Sequence, residues 1–150
     1  MVLIYFFVGG DNITSKIIRG VCKNLEREFT DVPIYTERVS QGMDEPCIFV
    51  YLRASSLNLF RDKRYYMKNE ICVEYFAPQQ VENSSCGAAL ERICLALEKI
   101  SCDKELRGSD IKCEIKDGVL SVTCSYNLFV YKQEQENTEL MAGLKLRFEE

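Results

Sequence analysis

The sequence predicts an α+β fold: a mainly antiparallel sheet of about five to six strands, with two principal helices packed on it. Three observations support this prediction. Two segments carry apolar residues at helical spacing, several others are apolar at alternate positions, and an Asp-Gly pair joins two strand-like segments. Because 150 residues is the usual size of one domain, we expect residues 1–150 to form a single domain.

The first helix is predicted over residues 13–29. Apolar residues recur there at three- and four-residue steps, and Asn12 or Thr14 can cap the start. Gly20 lies inside this segment, where it costs about 1 kcal/mol relative to alanine. Pro33 disfavours helix at the residue before it, so the helix ends upstream of this proline.

A short strand over residues 34–39 is followed by a polar stretch, 40–45, and then by residues 47–52, which are apolar at every position. A strand that has apolar residues on both faces is covered on both, so we expect this last segment to be central in its sheet. Gly42 allows a backbone angle that other residues resist. Pro46 stands at the entrance of the strand, where its missing N–H does least harm.

Residues 53–66 break the strand pattern, and we interpret them as a polar surface loop between two long strands. Alternation resumes over residues 67–76, which predicts a further strand. A second amphipathic helix is predicted over residues 81–100, capped by Ser84 or Ser85. Its apolar stripe consists of Leu90, Ile93, Leu97 and Ile100.

The clearest local signal is Asp117-Gly118, a dipeptide that favours a two-residue hairpin turn. Such a turn places Lys116 opposite Val119 and fixes the pairs further out. The apolar pairs are then Ile115 with Leu120, Cys113 with Val122, and Ile111 with Cys124. A slip of one residue would bury charged side chains, so the hydrophobic pattern also fixes the register.

The two termini leave several interpretations open. The apolar run that opens the chain is too short to span a membrane as a helix. We expect residues 1–12 to be an edge strand, an arm that docks on a neighbour, or a translated upstream extension of the reading frame. Residues 133–139 form an acidic break before a terminal segment, 144–148, that alternates as a strand does; residues 139–144 can instead form a helical turn.

Composition and motifs argue against an enzyme. The chain has no histidine, the commonest general base, and contains no serine-hydrolase elbow, phosphate-binding loop or dinucleotide fingerprint. Its net charge of −4 argues against a non-specific nucleic-acid binder. We therefore predict no catalytic residues and no cofactor. A carboxylate-only or a cysteine-based enzyme stays open as an alternative, and a cysteine whose pKa is lowered by a nearby Arg or Lys is the first group to look for.

Eight cysteines are spread along the chain, and the closest are eight residues apart. Zinc sites use ligands that are two to four residues apart in pairs, so this spacing predicts no metal site. Most of the cysteines fall on the apolar faces of the predicted helices and strands. We interpret them as small buried hydrophobic residues of a protein that folds in a reducing, cytosolic compartment.

The stretch 60–66 combines three cations with three aromatic residues. One interpretation is a solvated loop, and the other is a loop that contacts a partner, either protein or nucleic acid. Arginine and tyrosine are enriched at interface hot spots, which favours the second interpretation. The residues predicted to make this contact are Arg61, Lys63, Arg64 and Tyr65.

Two motifs occur in order in residues 29–52: P-I-Y-x-E and Q-G-x-x-x-P-C. They consist of Pro33, Ile34, Tyr35 and Glu37, followed by Gln41, Gly42, Pro46, Cys47 and Phe49. This region resembles the tail terminators of phages and prophages in Gram-positive bacteria, although Ile48 stands where an aromatic residue is common. Further similar segments are residues 73–78, 114–131 and 139–148, so the resemblance extends over residues 13–148.

The resemblance implies a structural virion protein that forms a homo-hexameric ring at the head-proximal end of the tail. Such a ring caps the tail tube and joins it to the neck. The implied partners are the chain itself, the tube protein, the sheath protein of a contractile tail, and a neck or head-completion protein. DNA would only pass through the lumen, no membrane is involved, and synthesis would take place in the cytoplasm of the bacterial host.

Two other functions stay open at this stage. A head-closure or tail-completion connector can share the same α+β core, and a small intracellular binding module unrelated to phages would also lack catalytic motifs. The resemblance likewise leaves open a phage or a tail-like bacteriocin (tailocin) as the source, and a contractile or non-contractile tail.

Overall fold

A computed structural model describes residues 3–4, 12–37, 45–78, 82–133 and 145–148. It contains two helices, nine strands and an α+β arrangement, which confirms the predicted fold class. The helices are α1 (Ile13–Glu28) and α2 (Glu82–Leu97). The strands are β1 (Leu3–Ile4), β2 (Ile34–Tyr35), β3 (Cys47–Arg61), β4 (Arg64–Phe76), β5 (Lys99–Cys102), β6 (Lys104–Arg107), β7 (Ser109–Lys116), β8 (Val119–Gln133) and β9 (Lys145–Phe148).

Seven of the described strands form one sheet in the order β1-β9-β8-β4-β3-β2, with β7 also paired to β8. The long strand β8 holds β7 beside its first half and β9 beside its last four residues. All of these pairings are antiparallel except that of β2 with β3. Strands β5 and β6 form a separate hairpin. Six of these strands lie in segments predicted as strands, and of the segment predicted over 34–39 only Ile34–Tyr35 is strand among the described residues. The seventh, β1, lies in the N-terminal run, for which an edge strand was one of the interpretations.

Helix α1 has nearly the predicted bounds, and of the two cap candidates Asn12 takes the position. Its side-chain oxygen accepts a hydrogen bond from the backbone N–H of Ser15 at 2.8 Å. The glycine inside the helix has a packing reason. A Cβ atom at Gly20 would lie 3.0 Å from the backbone oxygen of Ser101, so glycine lets α1 approach β5 closely.

Strand β3 begins at Cys47 as predicted, and its first four residues are buried. The prediction that it is central is wrong, because β3 is second from the edge and β2 lies outside it, paired at Ile48 and Phe49. The middle of the sheet is formed by β4 and β8. A strand that is apolar on both faces must be buried on both faces, but it can be buried in this way without being central in the sheet.

The predicted loop over residues 53–66 is also wrong. Strand β3 continues to Arg61, a two-residue turn follows, and β4 starts at Arg64, so the strand predicted over 67–76 is confirmed and is longer. Asp62 in the turn has a φ of 53°. Residues 53–61 are exposed on both faces, and they therefore lack the alternation by which a half-buried strand is recognised.

Helix α2 starts at Glu82, so the predicted cap at Ser84 or Ser85 is wrong and both serines lie within the helix. The helix also ends earlier than predicted, because Ile100 belongs to the hairpin β5–β6. Ile100 is buried as an inward residue of β5. Ile100 follows Leu97 by three residues, a spacing that also occurs on one face of a helix. For this reason the sequence pattern does not show that α2 ends before it.

The turn at Asp117-Gly118 is confirmed, with φ values of 52° and 76° that fit a type I′ turn. The pairing of Lys116 with Val119 and the next pairs outward follow the predicted register. The predicted pair Ile111–Cys124 is wrong. A register shift intervenes between Ser109 and Lys112, at an irregularity where Asp110 has a φ of 50°.

The terminal strand is confirmed as β9, which pairs with β8. Leu3–Ile4 pairs with β9, so for these two residues the edge-strand interpretation of the N-terminus holds. Pro46 directly precedes β3, as predicted. The predicted turn at Gly42 lies outside the described residues. So does the acidic break predicted over 133–139, apart from Gln133, which is the last residue of β8.

The core lies between the two helices and one face of the sheet, where β3, β4 and β8 contribute every second residue. Tyr126 of β8 is fully buried there, and its hydroxyl donates a hydrogen bond of 2.7 Å to the backbone oxygen of Leu97. This bond fastens the end of α2 to the central strand. Helix α1 lies beside α2, because the side chain of Asn24 donates to the backbone oxygens of Ala96 and Lys99.

The cysteines behave as core residues. Five are buried, Cys22 and Cys94 are half-buried, and Cys113 is exposed; all eight are free thiols. Burial raises the pKa of the Cys22, Cys102 and Cys124 thiols to about 11. These groups therefore stay neutral at physiological pH, as small hydrophobic residues do.

Gly108 is a position where the backbone leaves no room for a side chain. A Cβ atom there would lie 2.5 Å from both the sulfur of Cys124 and the backbone oxygen of Leu97. We expect Gly108→Ala to lower the free energy of unfolding by about 1–3 kcal/mol through overpacking. Gly87→Ala is the matched control: it adds a Cβ on α2 with nothing within 4 Å, and should raise stability by up to about 1 kcal/mol. Urea unfolding measures both, and an unimpaired Gly108→Ala protein would contradict the packing described here.

Thiol burial predicts a selective alkylation pattern. In the folded protein at pH 8, iodoacetamide should modify Cys113 quickly and the other seven thiols slowly. Five of these seven are buried, the pKa of the half-buried Cys22 and Cys94 is raised to about 11, and only a thiolate reacts. Intact-mass spectrometry should show one early adduct, which the Cys113→Ser variant lacks. In guanidinium chloride all eight should react. Early labelling of several thiols in the folded state would contradict this assignment.

Candidate interaction surface

The sequence predicts no catalytic residues and no metal site. In the described part of the chain, the polar clusters have structural explanations. No set of three His, Cys, Asp or Glu side chains there could hold a metal ion. None of the described helices combines the length and apolar character needed to cross a bilayer. The features that stand out instead are one cavity and one exposed end of the sheet.

The cavity has a volume of about 580 Å³ and lies on the sheet face opposite the helices. Its charged groups partly pair with each other, since Arg53 lies 3.7 Å from Glu70. The hydroxyl of Tyr51 donates to Glu74 at 2.8 Å. Burial raises the pKa of Tyr51 and of the adjacent Cys72, so both groups are neutral at pH 7 and neither is an activated nucleophile.

The exposed end of the sheet is the outer half of the β3–β4 hairpin, residues 53–68, which we name the hairpin arm. Leu57, Leu59 and Phe60 on this arm have 39%, 61% and 58% of their surface exposed. Exposed apolar side chains that are grouped in this way mark interaction sites on soluble proteins. The arm is therefore the first candidate for contact with another protein.

A cluster of aromatic rings stiffens the arm on the face opposite the helices. The ring of Phe129 lies with its centroid 5.1 Å from that of Phe60 and 4.9 Å from that of Tyr66. The guanidinium of Arg64 lies 4.1 Å from the centre of the Phe129 ring and 5.3 Å from that of Phe60. Cation–π contacts of this kind contribute about 0.5–2 kcal/mol, so this cluster holds the arm in a defined shape.

Backbone pairing supports the arm on one side only. Strand β4 pairs with β8 along its whole length, and the N–H of Lys132 donates to the backbone oxygen of Lys63 at 2.8 Å. At the root of the arm, the buried Asn69 side chain accepts from Ser55 and donates to the backbone oxygen of Tyr126. Beyond Phe49, β3 pairs with no described strand other than β4. The outer edge of the arm is thus an open strand edge on a rigid support.

The four residues predicted as an interface separate into two groups. Arg61 and Lys63 are exposed at the turn, and Arg64 lies half-buried against the aromatic cluster. Tyr65 points to the other face and packs against the core, because neighbouring residues of a strand alternate in direction. The structure therefore brings three of the four together and leaves Tyr65 apart.

Sequence analysis missed the aromatic residues that complete this surface. Phe60 and Tyr66 lie in the stretch that drew attention, but the pairing of β4 with β8 brings in Phe129 from a segment 63 residues further along than Tyr66. No local pattern predicts that contact. The places of Phe60 and Tyr66 could have been predicted from the alternation of side chains along a strand. They were not, because residues 53–66 were interpreted as a loop.

The arm is basic although the chain is acidic. Residues 61–68 contain four cations and one carboxylate, which gives a net charge of +3 in a chain whose total is −4. Asp62 stands in the turn itself, between Arg61 and Lys63. Such a local field steers association with an oppositely charged surface and selects against similarly charged ones.

Comparison with known protein families gives a match over most of the chain. No protein of curated function matches the chain. A family model described as "Phage tail terminator protein" matches residues 16–138, a segment that contains the β3–β4 hairpin, α2 and strands β5 to β8. Since the match covers well over half of the chain, this protein belongs to the phage tail terminator family.

Proposed function

We propose that this protein is the tail terminator of a phage or tail-like bacteriocin. In this proposal six copies form a closed ring at the head-proximal end of the tail, where the ring caps the tube and joins it to the neck. The observation that carries the proposal is the family match over residues 16–138, which makes the chain a structural component of the virion tail. The chain acts as one domain, residues 1–150.

The shape of the molecule supports a ring. A closed ring needs a head-to-tail contact, in which one surface of each copy meets a different surface of the next. The hairpin arm is a rigid protrusion with exposed apolar residues and an open edge, and no described part of the same copy covers it. Arg61, Lys63 and Arg64 on this arm are proposed to contact another copy; the prediction from the sequence, which included Tyr65, was a contact with another copy or with the tube.

The partners follow from that position in the virion. One rim of the ring meets the tube protein, together with the sheath in a contractile tail, and the other rim meets a neck or head-completion protein. DNA passes through the lumen without being held. A net charge of −4 per copy suits this role, because phosphate binding requires an excess of cations. Synthesis and assembly take place in the cytoplasm of the bacterial host, and the proposal involves neither catalysis nor a cofactor.

Capping is tested with purified components. The wild-type chain is added to tube protein of the same tail as it polymerises, and negative-stain electron microscopy records particles and tube lengths. We expect rings on their own, rings at one end of each tube, and tubes that stop growing from that end. Tube protein without the chain is the control and should give tubes of uncontrolled length.

Two outcomes would contradict the proposed function. One is a chain that forms no rings and leaves the ends of the tubes bare. The other is a chain that ignores tube ends and binds instead to purified head portals, which would identify a head-closure connector.

A further inference from the structure

We propose that the hairpin arm of one copy docks on an acidic surface at the root of the same hairpin in the next copy. We name that surface the acidic base. It consists of the exposed carboxylates Glu26, Asp31, Glu37 and Glu45, together with Glu28, which pairs with Arg92 of the same copy at 4.0 Å. This inference rests on the proposed ring and assigns the two surfaces that meet in it.

The acidic base lies at the opposite end of the hairpin from the basic turn. The N–H of Ile48 donates to the backbone oxygen of Pro33 at 2.9 Å, so the segment that follows α1 borders the first residues of β3. The ring of Phe29, at the end of α1, lies 6.1 Å from that of Tyr75, which pairs with Ile48. The carboxylates flank these contacts in the sequence on both sides.

The length of β3 keeps the two surfaces apart within one copy. Strand β3 has 15 residues, and at about 3.3 Å per residue it spans about 45–50 Å. This distance is several times the Debye length of about 8 Å at physiological ionic strength. The basic turn and the acidic base therefore cannot neutralise each other in the same copy, whereas they can do so between copies.

The signs of the charges select the geometry of the contact. The described residues 26–37 and 45, together with Arg92, which pairs with Glu28, carry a net charge of −3, and residues 61–68 carry +3. A two-fold pairing of arm with arm would bring two basic surfaces together, and a pairing of base with base would bring two acidic ones together. Only the contact of arm with base is attractive, and in the proposed ring each copy makes it head to tail with the next. The assembled mass distinguishes such a ring from a reciprocal two-fold dimer, in which the same contact would occur twice.

The arm also offers an apolar centre for the contact. Leu57 and Leu59 lie on the same face of β3 and have 39% and 61% of their surface exposed. Their burial provides the apolar core of the contact, and the exposed cations Arg61 and Lys63 form its charged rim. The open edge of β3 along residues 53–61 becomes covered when the arm docks, which removes an exposed strand edge from the assembled protein.

A second copy fits these observations better than nucleic acid does. The rings of Phe60, Tyr66 and Phe129 are packed against one another and against Arg64, and of these three only Phe60 is more than half exposed, so the cluster offers no row of open aromatic faces for stacking with successive bases. A surface of opposite charge, by contrast, is present on every copy of this chain. The test described below distinguishes a second copy from tube protein and from DNA as the partner of the arm.

The test reverses the charge of each surface separately. The arm-reversed chain carries Arg61→Glu and Lys63→Glu, and the base-reversed chain carries Asp31→Lys and Glu37→Lys. Each chain alone would juxtapose like charges, so we expect the concentration for half-assembly to rise about tenfold or more. Analytical ultracentrifugation at low salt measures the assembled mass. A matched control, Arg107→Glu with Lys116→Glu, makes the same charge change on other exposed positions and should assemble as the wild type does.

Recovery of assembly distinguishes a specific contact from damage to the fold. An equimolar mixture of the two reversed chains restores opposite charges at every contact of a ring with an even number of copies. A single chain with all four substitutions restores them as well. Both should regain the wild-type mass, and circular dichroism should show an unchanged fold.

Three outcomes would overturn the inference: reversed chains that assemble normally, reversed chains whose mixture and four-fold variant fail to recover, or an arm-reversed chain that forms normal rings and loses only tube or DNA binding. If the wild type forms rings and caps tubes in these cases, only the contact assignment fails. If the wild type stays monomeric and leaves tubes uncapped, the proposed function fails with it.

Discussion

The pairing of β4 with β8 is the interaction on which the rest of this structure depends. It runs without interruption from Arg64 opposite Tyr131 to Phe76 opposite Val119. At one end this two-strand spine carries the helices and the core, and at the other it supports the hairpin arm beyond them. An isolated hairpin is marginally stable in water, so the arm keeps its shape because β8 continues alongside β4.

This division of the sheet separates stability from assembly. Most of the buried apolar residues of β3 and β4 lie in the root half of the hairpin, against α1 and α2, while the β3 side of the arm exposes its apolar residues. The charges follow the same division, with cations at the turn and carboxylates around the root. A molecule with two unlike ends is suited to head-to-tail assembly, and its membership of the tail terminator family gives that assembly a place in the virion.

The sequence predicted the elements whose signal is local. Helix α1, the Asp117-Gly118 turn and its first pairs, and the terminal strand all follow from spacing and turn chemistry. The arm was missed because a strand exposed on both faces has no hydrophobic period, and β5 was missed because Ile100 fits both a helical stripe and a strand. The basic part of the candidate surface was found from composition alone. Phe129 was not, because only the register of β8 against β4 brings it to the arm.

Hydrogen exchange of the backbone amides in residues 53–61 tests the central claim most directly. These amides lie on the rigid, open-edged arm, and the account assigns them to the contact between copies. Comparison of the assembled protein with dilute monomer should show protection of this segment on assembly, together with residues 26–37 at the acidic base. Equal exchange of both segments in monomer and assembly would contradict the account.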